Sequence, residues 1–112
     1  MSLWRFAPVE NRRGVRELVN KMKMIDGFML REIAGEYVAV PSGEAAQVFN
    51  GLLTLNETGA EVFRRLQEGT DREALLAALA ADYDVPRPEL EADVDELLDQ
   101  FQELAILKEA VL

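Results

Sequence analysis

The spacing of apolar residues changes character along this chain, and each change marks an element. Near the start, Val15, Leu18, Val19 and Met22 recur at helical intervals, which predicts a short amphipathic helix. From Phe28 the rhythm becomes that of strands. Phe28-Met29-Leu30-Arg31-Glu32-Ile33 and Glu36-Tyr37-Val38-Ala39-Val40 are rich in strand formers and flank Ala34-Gly35. Gly35 supplies the left-handed backbone of a tight, bulged hairpin, so the two runs are expected to pair antiparallel. Pro41-Ser42-Gly43 stops the second strand. Between Glu44 and Asn50 the pattern is ambiguous, with Gln47-Val48-Phe49 as a possible short strand, and Asn50-Gly51 reads as a turn.

Leu52-Leu53-Thr54-Leu55 reads as a buried third strand, running without a linker into Asn56-Glu57-Thr58-Gly59. There Asn56 or Thr58 offers an oxygen to the free N–H groups of a helix start. Three helices are expected to follow. The first spans about Glu57 to Gln67 and stops at Gly69. Thr70-Asp71-Arg72-Glu73 forms a capping box, with Thr70 as the cap, and opens a second helix that turns Leu75, Leu76, Leu79 and Tyr83 inward. Pro86 and Pro88 separate it from a third, which extends to about Leu104 with Leu90, Val94, Leu97, Leu98, Phe101 and Leu104 along one wide stripe. Ala105 to Lys108 either extends toward the sheet or caps the core. A chain of 112 residues of this pattern supports one α+β domain at 27–112, preceded by an extension at 1–26 that is helical or partly ordered.

Composition narrows the chemistry. The chain has neither cysteine nor histidine, which removes disulfides, thiolate nucleophiles and the usual general base and metal ligand. Paired carboxylates such as Asp82 with Asp84, or Asp93 with Asp95 and Glu96, fall on faces expected to be exposed and without a cationic partner, so no catalytic residue and no metal site is assigned. No apolar run is long enough to span a bilayer and no secretion signal opens the chain, so a cytoplasmic protein without membrane contact is expected.

Charge is unevenly distributed. Residues 1–25 carry six basic groups against Glu10 and Glu17, a balance of +4, so the remainder carries -13 of the net -9. The third helix concentrates the acid in Glu89, Glu91, Asp93, Asp95, Glu96, Asp99 and Glu103. A face of that sign repels phosphate, which excludes a nucleic-acid partner. It suits a basic peptide, and it equally suits a solvated surface.

The hairpin Arg31-Glu32-Ile33-Ala34-Gly35-Glu36-Tyr37, the junction Leu55-Asn56-Glu57-Thr58-Gly59, Tyr83-Asp84-Val85 and an acidic third helix ending in apolar residues stand in an order that resembles the PqqD-like family. The resemblance runs from Gly27 to about Lys108 and leaves residues 1–26 without a counterpart. It implies a winged helix-turn-helix-like fold, with a three-stranded antiparallel sheet followed by three helices. It also implies a non-catalytic recognition element for ribosomally made, post-translationally modified peptides, needing no cofactor. Such a domain holds a leader peptide for a modifying enzyme, a radical S-adenosylmethionine (SAM) enzyme in pyrroloquinoline quinone synthesis. The implied peptide site lies between the third strand and the third helix. On this chain that assigns the backbone of Leu52, Leu53, Thr54 and Leu55 to one wall, and the side chains of Val94, Leu97, Leu98 and Phe101 to the other, some of which must also serve the core. The alternative is a module that pairs with a copy of itself through the strand edge or the basic extension. A winged-helix regulator is the remaining alternative, and the acidity opposes it.

Overall fold

The computed structural model describes residues 4–5 and 19–111. Along the chain run β1 (Trp4–Arg5), β2 (Val19–Met24), β3 (Met29–Ile33), β4 (Glu36–Val40), α1 (Gly43–Val48), β5 (Leu53–Leu55), α2 (Glu57–Glu68), α3 (Arg72–Asp82), α4 (Arg87–Glu103) and β6 (Leu107–Val111). The expected sheet is β3-β4-β5, antiparallel throughout, and the three expected helices are α2, α3 and α4.

A second antiparallel sheet, β1-β6-β2, joins the two ends of the chain. The helix expected at Val19 and Met22 is therefore corrected to a strand. Lys21 is exposed and Lys23 partly so, while Met22 and Met24 are buried, the period of two that a strand with one covered face requires. Residues 6–18, which carry the rest of that expected helix, lie outside the described residues. The outer edge of β2 bridges to Thr70, with Met22 N–H donating to the Thr70 carbonyl at 2.6 Å and Thr70 N–H returning a bond to Met22 at 2.9 Å. Thr70 thereby leaves the cap position. Asp71 takes it, accepting from Ala74 N–H at 2.8 Å, so the expected cap lies one residue later.

Two further local expectations change. Gln47-Val48-Phe49 is not a strand, because Gly43–Val48 forms one and a half turns of helix, anchored where Ala45 N–H donates to Asp26 O at 3.0 Å. That contact needs Gly27, whose φ is 112° and whose absent Cβ would stand 2.0 Å from Ser42 O. The hairpin has no bulge either. Ile33 pairs directly with Glu36, and both Ala34 (φ 53°) and Gly35 (φ 82°) are left-handed, the two-residue turn whose twist matches the strands.

Phe63 of α2 ties the halves together. It meets Phe28 edge-on at 5.3 Å and Phe101 of α4 at 5.8 Å, and all three rings are buried. Around them pack Met22, Met24, Leu66, Leu75, Leu76, Leu79, Val94 and Leu98, with Ile106, just before β6, and Leu107, its first residue, closing the core. Ala105 to Lys108 therefore serves both expected roles, since Leu107 is both a strand residue and fully buried.

Candidate functional site

Among the described residues β5 lies at the end of its sheet, paired with β4 on one side and with no strand on the other. Its three residues alternate as a strand with one covered face should: Leu55 is buried, Leu53 half-buried and Thr54 exposed. Chain direction changes abruptly after it. Asn56 Oδ1 accepts from Gly59 N–H at 2.7 Å and starts α2 at once, so among the described residues no strand pairs with the outer edge of β5. Gly59 makes the close turn possible, because a Cβ there would sit 3.0 Å from that same oxygen and 3.5 Å from Leu55.

α4 faces the Asn56 junction at the end of β5 across a groove of about 340 Å³, lined by Asn56, Thr58, Asp93, Glu96, Leu97 and Gln100. Residues 93, 96, 97 and 100 share one helical face, which explains their convergence. A second, wider cleft of about 580 Å³ meets the first at Asn56 and carries Glu32, Glu36 and Glu57 with Tyr37 around the hairpin turn. Seen from the end of β5, the site is an open strand edge between two acidic walls.

The expected helix residues separate by burial. Val94, Leu98 and Phe101 are 0 to 1 % exposed and belong to the core, whereas Leu97 is partly buried against it and also lines the groove. The wall assigned to four side chains is thus formed by Leu97 among them, with Asp93, Glu96 and Gln100 beside it. Gln100 was not foreseen, nor were Glu32, Glu36 and Glu57. The spacing held the signal for Gln100, since it follows Asp93 by seven positions and Glu96 by four. Leu52, expected as a backbone contact, immediately precedes β5 and exposes 65 % of its surface.

The acid on α4 is likewise divided. Arg72 of α3 grips Asp95 with a two-pronged contact of 3.0 and 3.1 Å, while Arg87 reaches Glu73 at 3.1 Å and Glu91 at 3.5 Å. Asp95 therefore has the cationic partner that the sequence did not reveal. The Asp95 hydrogen bond, aided by Glu91 and Glu73, raises the Arg72 guanidinium above its ordinary range against the opposing effect of burial. Raised in the folded state, it contributes its full stabilisation at neutral pH and loses it only in strong alkali. On the groove face no cation of the described residues pairs with Asp93 or Glu96. Among the described residues no cluster of candidate metal ligands occurs, and no helix is long and apolar enough to cross a membrane.

An antiparallel three-stranded sheet with a free edge at the mouth of a helix-walled groove defines a winged-helix-like domain with an exposed strand-pairing site. The chain belongs to the family of coenzyme PQQ synthesis protein D (PqqD), whose model matches residues 36–107. Among solved structures it is similar to TbiB1 in complex with the TbiA(β) leader peptide, at 25 % identity, with a TM-score of 0.60 over 76 % of this chain and 93 % of that one. It shares its fold with a lasso peptide synthetase B1 complexed with the leader peptide, at 19 % identity, with a TM-score of 0.59 over 77 % and 95 %. No curated protein matches it.

Proposed function

We propose that this protein is a non-catalytic adaptor that captures the leader of a ribosomally made precursor as an added strand on β5 and presents it to a modifying enzyme. The observation that carries the reading is the open edge of β5 beside a groove, in a chain that belongs to the PqqD family and is similar to a protein solved with a leader peptide bound. Unpaired backbone groups accept a guest strand whatever its side chains, and the pocket walls supply selectivity. Leu97 gives an inward-facing guest residue an apolar contact, and Asp93 and Glu96 favour a basic one beside it. The enzyme is of a peptide-modifying class, with a radical SAM enzyme as the family's example, and the complex works in the cytoplasm, where precursors are made. β2 serves the fold of this adaptor, pairing with β6 and burying Met22 and Met24.

Backbone N-methylation of a bound leader peptide, one residue at a time, tests the mode of binding. Strand addition predicts an alternation, in which methylation abolishes binding at every second position and is tolerated between them. Uniform tolerance would show that the peptide is held by side chains alone.

A further inference from the structure

We infer that the guest strand is read on both of its faces, and that an apolar side chain lying beside Leu52 on the outward face of the sheet is part of what selects it. The inference rests on strand addition at β5 and extends it from the groove to the opposite side.

The outward face of β3-β4-β5 is unusual for a sheet that faces water. Leu30, Tyr37 and Leu53 pack on the core, while Met29, Ile33, Val38 and Val40 share the alternate positions pointing away from it with Arg31, Glu36 and Thr54. Polar residues normally occupy such positions. Met29, Ile33 and Leu52 are 45, 56 and 65 % exposed, and of the large apolar side chains left exposed among the described residues only Val48 lies elsewhere. Register arranges part of them in a row. Met29 pairs with Val40, and the Ala39 to Leu53 pairing, continued by one residue, sets Leu52 beside Val40. The row ends at Leu52, at the open edge.

A strand added to that edge is the occupant placed to lie alongside Leu52. In an antiparallel guest, the residue opposite Leu53 points inward to the groove, and the next one, opposite Leu52, points outward. Consecutive guest residues therefore meet different walls, and the outward one extends the row Met29, Val40, Leu52 by one position. Directly opposed apolar pairs are a principal source of stability between strands. The substrate class is thus an extended segment with an apolar outward residue immediately after an inward residue suited to Leu97, Asp93 and Glu96. Charge favours this occupant over a second copy laid on the same face, because each copy carries a net -9 and repels the other, whereas a basic leader is attracted.

Selection from a phage-displayed library of short randomised segments tests the inference, using the wild type, Leu52→Glu and Val48→Glu. The wild type is expected to enrich segments with an apolar residue at one fixed column. Leu52→Glu should switch that column alone to Lys or Arg, and Val48→Glu should switch none. Should Leu52→Glu disturb folding by circular dichroism, Leu52→Thr replaces it, with about fivefold weaker binding of the selected segment and no loss when that column is Ala. Identical columns from wild type and Leu52→Glu overturn the inference while leaving strand addition intact. A dimer in sedimentation that Leu52→Glu dissolves, with selection unchanged, also overturns it and assigns the face to a second copy. No enriched segment from the wild type overturns the strand-addition reading itself.

Discussion

Leu97 and Leu98 are neighbours in sequence with opposite duties. Leu98 follows Leu90 and Val94 at intervals of four and is fully buried with them, whereas Leu97 follows Asp93 by four and precedes Gln100 by three, on the groove face. Leu98→Ala should destabilise the protein by about 2 to 5 kcal/mol through lost burial and a residual cavity. Leu97→Ala should change stability by less than about 1 kcal/mol, yet weaken leader binding by a similar amount. Urea unfolding and peptide titration on both variants separate the two effects, and equal loss of stability would place Leu97 in the core as well. The sequence showed six large apolar residues on one wide stripe and that some must serve the core. Sorting them required dividing the stripe into two adjacent lines a hundred degrees of helix apart, and the acidic company of Leu97 was the available clue. Arg72 was less legible, because its partner Asp95 lies 23 positions away on another helix and only packing brings the two together.

At the level of elements, strands and helices bounded by strong local signals were readable. Gly69 ends α2 with φ 95°, Asn56 caps its start, and Ala34-Gly35 turns the hairpin. The expectation failed at the chain's beginning, where four apolar residues at helical spacing outweighed the strict alternation Lys21-Met22-Lys23-Met24. Tertiary pairing decides there. β2 is held by β6 on one side and by Thr70 on the other, and neither partner is near in sequence. Removing residues 1–24 should therefore prevent folding, since it strips both edges of β6 and removes Met22 and Met24 from the core, each worth about 2 to 5 kcal/mol if truncated. Circular dichroism and a thermal melt check this, and a cooperative transition in the truncated chain would show that β2 is dispensable.

Across the whole molecule, the site combines a pairing edge that is indifferent to sequence with walls that are not. The two acidic clefts meeting at Asn56 should act at a distance on a basic leader, because the Debye length shrinks from about 30 Å at 0.01 M salt to about 8 Å at 0.15 M. Stopped-flow association is expected to slow markedly over that range while dissociation changes little, as steering predicts. An association rate unaffected by salt would leave the acid as a solubilising surface. Family and fold were legible because the strand-to-helix junction and the hairpin are local, whereas the second sheet, made from both chain ends, is not. The most direct test of the central claim is amide hydrogen exchange of β5 with and without a bound leader peptide. Strand addition predicts that backbone amides of Leu53 to Leu55 facing the open edge become protected on binding. Saturating peptide that leaves all of them exchanging at the free-protein rate would contradict it.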